Sequence, residues 1–299
     1  MDMALARKLL ILDLNGTLLL RSSKPRARPA GDPIAGPRPR TVHPRPYLAA
    51  FKSYLFHPDT KAWLDTMVWS SAQPESVASM VDACFAEEKS HFVAIWARDT
   101  LGLAPDVYFK KTPTTKDLDI PWKSFPAHNA QTTLLLDDSL RKARAHRQPF
   151  NHICVPEYTS VSRRRDLAVL NASKSPSTLK GPSALLASVR KNLPAAPDAP
   201  KLFDETLLAV VGILETLKTQ ADVARWIQDG GLAASIESAP AETDLATQLS
   251  QLNIEAQAAS PTQWFEREET VQRWAEQGRN ALAALQIEAV AGVRDPNSR

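Results

Sequence analysis

A carboxylate, an amide and a hydroxyl lie within five residues near the start of the sequence, in Asp13-Leu14-Asn15-Gly16-Thr17. A carboxylate in such a motif can attack a phosphomonoester to form an aspartyl-phosphate, and it can also bind a divalent cation. Gly16 and Thr17 suit this chemistry, because a tight turn presents backbone N–H groups to a phosphate and the hydroxyl adds a contact. An aspartate that merely caps a turn is the alternative explanation of Asp13 taken alone.

Four further residues can complete a site for phosphoryl transfer. Ser70 follows an apolar run and offers a hydroxyl, although a serine in such a place often caps a turn or helix. Lys116 can neutralise charge on the transferring group, although most lysines are simply solvated. Asp137 and Asp138 are adjacent carboxylates that repel each other, so a bound divalent cation is a natural reason for both.

Short apolar runs precede several of these residues. Runs of this kind, bounded by turn residues, predict buried strands of a parallel sheet. They lie at 8–14, 66–69, 132–136 and 152–155, with helical spacing at 46–56 and 74–88. Because the carboxyl ends of parallel strands share one edge of a sheet, the pattern predicts an α/β fold with its site at that edge.

Two segments depart from this alternation of strands and helices. Residues 21–45 carry seven basic residues against Asp32 alone, among many prolines, and predict an extended loop that packs no core. Residues 160–200 are rich in Ser, Lys and Pro and predict a flexible insertion or linker.

The last third of the chain is predicted to be helical. Residues 203–227 have the spacing of an amphipathic helix pair, and helical spacing returns at 264–291 within an acidic tail. We therefore divide the chain into a domain at 1–230 and a partly helical extension at 231–299. The tail helix is expected either to dock a protein partner or to pack back on the core.

The composition favours one main domain in a reducing compartment. The chain has 299 residues, of which 43% are apolar, and its two cysteines, Cys84 and Cys154, provide no disulfide framework. The apolar run at 8–14 is too short to span a membrane and is soon interrupted by Asp13. The sequence thus predicts no signal peptide, transit peptide or membrane contact, and a location in the nucleus or cytoplasm.

In its order of motifs, the chain resembles the haloacid dehalogenase (HAD) superfamily. Within it, the chain looks like the FCP/SCP subfamily, the NLI-interacting-factor-like phosphatases of the RNA polymerase II C-terminal domain. The resemblance covers about residues 7–228 and implies a Rossmann-like fold, with a central parallel sheet flanked by helices and a helical C-terminal extension. The matching segments are Asp13-Leu14-Asn15-Gly16-Thr17, Arg45-Pro46, Val68-Trp69-Ser70-Ser71-Ala72, Trp96-Ala97-Arg98-Asp99, Lys116-Asp117-Leu118, Leu136-Asp137-Asp138-Ser139 and 204–223.

The resemblance also implies a role for each site residue and Mg²⁺ as the cofactor. The substrate class that it implies is phosphoserine or phosphothreonine in a phosphoprotein or phosphopeptide. The implied roles are nucleophile and metal ligand for Asp13, main-chain metal ligand for Asn15, metal carboxylates for Asp138 and Asp137, phosphate contacts for Thr17, Ser70 and Lys116, and a possible substrate contact for Arg98.

Asn15 departs from the pattern of active family members, which have an aspartic acid that acts as general acid and base. An amide cannot transfer a proton at neutral pH, so catalysis worth roughly 10²- to 10⁴-fold is expected to be lost. The prediction is therefore a weakened phosphatase. The alternative is an inactive pseudophosphatase that serves as a phosphopeptide-binding or protein-binding scaffold.

A second class of function rests on the basic residues. The loop at 21–45, together with 141–144 and 163–165, can attract RNA or acidic peptides. The aromatic residues that usually alternate with basic ones in nucleic-acid-binding surfaces are missing, so only weak nucleic-acid contact is expected.

Overall fold

A computed structural model describes residues 6–25, 40–110, 112–144, 149–174, 202–233 and 263–294. In these residues, five parallel strands form a sheet in the order β5-β4-β1-β6-β7, and β2 and β3 form a separate antiparallel pair. The strands are β1 (Lys8–Leu12), β2 (Leu19–Pro25), β3 (Arg40–Pro44), β4 (Leu64–Trp69), β5 (Ile95–Trp96), β6 (Thr133–Asp137) and β7 (His152–Cys154). The predicted α/β fold with a central parallel sheet is confirmed.

β1 occupies the middle of the sheet and is buried along its whole length. Its side chains alternate between the two faces, as the period of a strand requires. Leu10 and Leu12 belong to the larger hydrophobic core, whereas Leu9 and Ile11 belong to a smaller core on the other face. Burial on both faces explains why the sequence shows a continuous apolar run here and no alternation of apolar and polar residues.

Helices cover the sheet. Among the described residues, helices of four or more residues are α1 (Leu48–Phe56), α2 (Pro58–Lys61), α3 (Pro74–Phe85), α4 (Pro105–Tyr108), α5 (Asp119–Ser124), α6 (Leu140–Arg144), α7 (Ser160–Lys174), α8 (Thr206–Lys218), α9 (Val223–Gln228) and α10 (Glu268–Ala284). The helices predicted before and after β4 are α1 and α3, each shorter than predicted. Within the described ranges, no helix has the length and apolar character needed to cross a membrane.

The C-terminal helix α10 packs closely against α8. A Cβ atom added to Gly278 would overlap the main-chain carbonyl of Leu208, and one added to Gly212 would overlap the carbonyl of Trp274. Trp274 and Leu282 of α10 are buried in the larger core. The helical C-terminal extension is confirmed, and its described helix packs on the core, the second of the two arrangements expected for it.

The prediction of a loop without core contacts at 21–45 is wrong at both ends of that segment. β2 and β3 pair there, with Leu20 opposite His43 and Arg21 opposite Val42, and Val42 packs against the larger core. The paired strands satisfy each other's backbone groups, which an extended loop would leave to water. Arg45 is fully buried. Residues 26–39 of the segment lie outside the described residues.

The prediction of a flexible insertion at 160–200 is wrong for its first fifteen residues, which form α7. The Thr159 hydroxyl begins this helix by accepting hydrogen bonds from the N–H groups of Val161 and Ser162, both at 3.2 Å. Asp166 and Val169 anchor the helix, since both are buried. Residues 175–200 lie outside the described part of the chain.

Candidate active site

The predicted site forms at the carboxyl edge of the parallel sheet. Asp13 directly follows β1, and its N–H donates to the carbonyl of Leu136 at 2.9 Å, which fixes it beside β6. Asp137 is the last residue of β6, and Ser70 is the first residue after β4. The three neighbouring strands therefore bring these residues to one edge, as the sequence predicted.

Lys116 lies at the centre of this cluster and is fully buried. Its Nζ donates to Asp13 Oδ1 at 2.9 Å and to Asp137 Oδ2 at 2.6 Å. Burial alone would lower the pKa of Lys116, but the charges of the two carboxylates outweigh it and raise that pKa. Lys116 is therefore a permanent positive charge that holds both carboxylates in place.

Thr17 joins Asp13 to Asp138. Its Oγ1 lies 3.1 Å from Asp138 Oδ1 and 3.4 Å from Asp13 Oδ2, and it accepts the N–H of Asp138 at 3.0 Å. Burial, together with the charges of Asp13 and Asp137, raises the pKa of Asp138 to about 7. Burial also raises the pKa of Asp13, against the opposing charge of Lys116. Burial and the neighbouring carboxylates thus disfavour ionisation of both Asp13 and Asp138.

Gly16 shapes the turn between these residues. Its φ of 97° lies in the left-handed region, and a Cβ atom there would lie 2.8 Å from Asp138 Oδ2. The Gly16 carbonyl accepts the N–H of Tyr158 at 2.6 Å, which ties the turn to the segment after β7. A glycine at this position allows the turn to approach the Asp138 carboxylate.

Asp13 and Asp138, which both contact the Thr17 hydroxyl, are the residues of this cluster that could hold a divalent cation. Both groups offer carboxylate oxygens, the donors that Mg²⁺ prefers, and the raised pKa of Asp138 reflects a charge without a full counterion. Asp137 is engaged by Lys116, and within the described residues no three His, Cys, Asp or Glu side chains converge as a metal site. Such an ion would therefore take two carboxylates and complete its shell with other oxygens, as Mg²⁺ commonly does.

Asn15 lies at the exposed rim of the turn. Its Oδ1 accepts the backbone N–H of Arg21 at 2.8 Å, so the amide oxygen is bonded to the start of β2. The contact orients the side chain but gives it no group that can transfer a proton. The Asn15 side chain therefore cannot act as the general acid and base that active family members have at this position.

A family model described as NLI interacting factor-like phosphatase matches residues 8–181, a range that includes every residue of this cluster. The chain belongs to this family. A relative from Schizosaccharomyces pombe, an uncharacterized FCP1 homology domain-containing protein, is 35% identical over 167 residues. That match covers 52% of this chain and 63% of the relative, so the chain spans less than two thirds of the relative's length.

Two solved structures show more distant similarity. Fcp1, an essential RNA polymerase II CTD phosphatase, is 14% identical with a TM-score of 0.46, over 81% of this chain and 77% of that one. A variant of fission yeast RNA polymerase II CTD phosphatase Fcp1 bound to beryllium fluoride is 14% identical with a TM-score of 0.38, over 93% and 63% of the two chains.

Ser70 lies at the carboxyl end of β4, and Ser71 beside it adds a contact that the sequence reasoning missed. Ser70 is buried, and its N–H donates to the carbonyl of Trp96 at 3.0 Å. Ser71 Oγ and Thr114 Oγ1 each accept a hydrogen bond at 2.5 Å from Nζ of Lys142. The sequence reasoning named Lys142 only as part of a basic stretch. Nothing in the sequence signalled these contacts, because Ser71 and Thr114 are distant from Lys142 in the chain.

Arg98 supports a loop instead of facing the cluster. Its guanidinium donates to the main-chain carbonyls of Tyr108 at 2.6 Å, Lys110 at 2.8 Å and Val107 at 3.3 Å. It thereby holds the segment around α4 against the end of β5. The substrate contact suggested for Arg98 stays a prediction, and these bonds favour a positioning role.

A second buried charge cluster lies behind the turn, and the sequence reasoning missed it. Arg45 donates to the Thr17 carbonyl at 2.9 Å, to Asp204 Oδ2 at 2.9 and 3.2 Å, and to the Thr206 hydroxyl at 2.9 Å. Burial would raise the pKa of Asp204, but the Arg45 charge outweighs it and lowers that pKa. Asp166 accepts the N–H of Asp204 at 3.0 Å. The turn that carries Asp13 is therefore fixed from behind by the start of α8.

Proposed function

We propose that this protein is a Mg²⁺-dependent phosphomonoester hydrolase that acts through an aspartyl-phosphate on Asp13. The observation that carries the proposal is the placement of Asp13 at the end of the central strand, held by Lys116 and opposite Asp138. Membership of a phosphatase family supports the same reaction class. Phosphoserine or phosphothreonine in protein substrates is the proposed substrate class, in line with the polymerase phosphatases among the similar structures.

The geometry distinguishes the two oxygens of Asp13. Oδ1 accepts a close hydrogen bond from Lys116 at 2.9 Å, whereas Oδ2 has only the long 3.4 Å contact with Thr17. We therefore assign the attack on phosphorus to Oδ2. The bond from phosphorus to the leaving oxygen breaks in this step, and water then attacks the aspartyl-phosphate to release inorganic phosphate and the Asp13 carboxylate.

The surrounding residues orient the phosphoryl group and offset its charge. Lys116, the Thr17 hydroxyl and Ser70 are proposed to contact its oxygens, together with the N–H groups of the turn. Asp13, Asp138 and the main-chain carbonyl of Asn15 would hold a Mg²⁺ ion, which supplies positive charge next to the transferring group. Asp137 would keep Lys116 in place.

Asn15 is proposed to limit the rate. The leaving oxygen needs a proton when it departs as an alkoxide, and an amide cannot provide one. Substrates whose leaving group is already a weak base depend less on that proton. The protein should therefore prefer activated aryl phosphates over serine-type phosphates by more than a related phosphatase with an aspartate at this position.

A phosphopeptide-binding scaffold without turnover is the second candidate, and Asn15 is the observation that favours it. The contacts proposed for phosphate binding do not involve the Asn15 side chain, whose oxygen is bonded to Arg21. Binding could thus persist in a protein that has lost its general acid. The two candidates differ in turnover and not in the position of the bound phosphate.

Steady-state hydrolysis by three proteins separates the candidates: wild type, Asn15→Asp and Asp13→Asn. The substrates are para-nitrophenyl phosphate and the poorer phenyl phosphate, each with Mg²⁺ and with EDTA. We expect wild type to exceed Asp13→Asn, and Asn15→Asp to gain roughly 10²- to 10⁴-fold on phenyl phosphate and less on the nitrophenyl ester. An aspartate can still accept the Arg21 N–H, so the variant should fold.

Equal rates for wild type and Asp13→Asn, with no gain for Asn15→Asp, would contradict the hydrolase proposal. The phosphopeptide-binding scaffold without turnover would then be the remaining candidate function. Equal activity in Mg²⁺ and EDTA would contradict only the metal dependence.

A further inference from the structure

A cavity of about 440 Å³ lies beside the proposed active site and has no acidic residue in its lining. Three of its lining residues are cationic and four carry hydroxyl groups, a composition suited to an anion. The lining consists of Ser71, Arg98, Thr112, Pro113, Thr114, Ser139, Arg141 and Lys142. Asp13, Asp138, Ser70 and Lys116 are not among these residues, so the cavity adjoins the proposed phosphoryl site without containing it.

Lys142 is the main charge of this cavity. Its side chain is partly buried, and Nζ donates to two neutral groups, the hydroxyls of Ser71 and Thr114. In the described part of the chain, Nζ forms no ion pair with a carboxylate. Burial and the nearby charge of Lys116 lower the pKa of Lys142, and the more distant charges of Asp137, Asp13 and Asp138 offset this only in part. A partly desolvated ammonium without a contacting carboxylate is costly, and among the described residues two of its three N–H donors are used, which leaves the third for a ligand.

The position of Lys142 relates the cavity to the proposed reaction. Ser71 directly follows Ser70, and the N–H of Lys116 contacts the carbonyl of Lys142 at 3.4 Å. Lys116 itself is engaged by Asp13 and Asp137. The two lysines therefore serve separate places, one at the nucleophile and the other in the adjoining cavity.

We propose that Lys142, Ser71 and Thr114 form a subsite for a second phosphate on a doubly phosphorylated peptide. The inference rests on the proposed function for the identity of the substrate. The phosphate that reacts lies at Asp13, and the neighbouring phosphate accepts hydrogen bonds from Nζ and from the Ser71 hydroxyl, while the Thr114 hydroxyl orients Ser71 by donating to its Oγ at 3.0 Å. Arg141 lies exposed at the rim of the cavity and adds positive charge there.

Binding to the full-length Asp13→Asn protein tests the subsite without a need for turnover. Fluorescence anisotropy in Mg²⁺ compares labelled peptides that carry one phosphoserine, two phosphoserines at spacings of one to three residues, or one phosphoserine and one glutamate. We expect the best doubly phosphorylated peptide to bind roughly ten-fold more tightly than the singly phosphorylated one. The glutamate peptide should gain less, because a carboxylate has a smaller charge than a phosphate.

Lys142→Gln in the same background should reduce this ratio to about one. Lys61→Gln is the matched control, since Lys61 is exposed at the end of α2, before β4, and its loss should leave the ratio unchanged. Lys142→Arg keeps the charge and should retain most of the advantage. Thermal unfolding of each variant shows whether a reduced affinity ratio is due to misfolding. If Lys142→Gln does not fold, the affinity ratio of Lys142→Arg is used instead.

Three outcomes would overturn the subsite: no advantage for any doubly phosphorylated peptide, an equal loss in Lys61→Gln, or an advantage that persists in folded Lys142→Gln. A glutamate peptide that gains as much as the second phosphate would overturn its phosphate specificity. The proposed function fails separately, when Asp13-containing protein shows no hydrolysis of aryl phosphates. Hydrolysis without a preference for two phosphates would remove only the subsite.

Discussion

Two buried charge clusters lie on opposite sides of the turn at residues 13–17, and they differ in how well their charges are balanced. Behind the turn, Arg45 pairs with Asp204 and also donates to Thr17 and Thr206, while the buried Asp166 accepts hydrogen bonds from the Asp204 N–H and the Tyr158 hydroxyl. At the carboxyl edge, the fully buried Lys116 pairs with Asp13 and Asp137, whereas the adjacent Asp138 forms no ion pair within the described residues.

We interpret the Arg45 cluster as one that stabilises the fold and the Lys116 cluster as one that binds ligands. A buried ion pair that is hydrogen-bonded to the main chain and to neighbouring side chains fixes the geometry of the turn and is not placed to contact a substrate. A cluster with surplus charge destabilises the unliganded protein and gains most when a cation and a phosphate bind. Variants in the two clusters should therefore change stability in opposite directions.

Arg45→Met should give the largest effect. It leaves Asp204 buried without its partner charge, and such a loss typically lowers the free energy of unfolding by about 3–5 kcal/mol. Urea denaturation followed by circular dichroism measures it. Arg225→Met is the control, since the exposed Arg225–Asp229 pair at 3.1 Å should contribute less than about 1 kcal/mol. Similar losses of unfolding free energy in Arg45→Met and Arg225→Met would contradict a special structural role for the buried Arg45–Asp204 pair.

Asp138→Asn should act in the other direction. Removal of a partly buried charge next to Asp13 and Asp137 should raise the free energy of unfolding by roughly 1–3 kcal/mol at pH 8 in EDTA, while hydrolysis is lost. The amide oxygen can still accept the Thr17 hydroxyl. Asp82→Asn, in an exposed pair with Lys89, should change stability by less than about 1 kcal/mol. A lower free energy of unfolding in Asp138→Asn would contradict this prediction, because it would show that the Asp138 carboxylate stabilises the unliganded fold.

The pH dependence of stability should show a smaller effect at Asp204. Its pKa is lowered by Arg45, so its contribution is present above the unfolded-state value of about 4 and is lost as the pH falls towards the folded-state value. Between pH 5 and pH 3, wild type should lose on the order of 1–2 kcal/mol more than Asp204→Asn. Urea midpoints at pH 5, 4 and 3 measure the two slopes, and equal slopes would contradict a depressed pKa.

The sequence was sufficient to predict the central sheet and the first cluster. β1, β4 and β6 are apolar because both their faces are covered, and each ends at a polar residue. The carboxyl ends of such strands meet at one edge, so Asp13, Ser70 and Asp137 could be grouped before their contacts were known, whereas Lys116 was added through the family resemblance. A local pattern carries this information because the strand and its terminal residue are adjacent in the chain.

The second cluster could not be predicted in this way. Arg45 and Asp204 are 159 residues apart, and nothing near either residue indicates the pairing. Arg45 follows a stretch rich in Arg and Pro, whose composition is typical of an exposed loop. The β2–β3 pair was missed for the same reason, because its strands carry polar side chains and gain stability from pairing.

The bond from Arg45 to Asp204 also bears on where this domain can be cut. A chain that stopped at residue 181, where the family match ends, would keep every proposed catalytic residue. It would lose Asp204 and the whole of α8, including the buried Leu207 and Val211. Truncation there should abolish function through failure of folding, so an autonomous folding unit has to extend at least through Lys218.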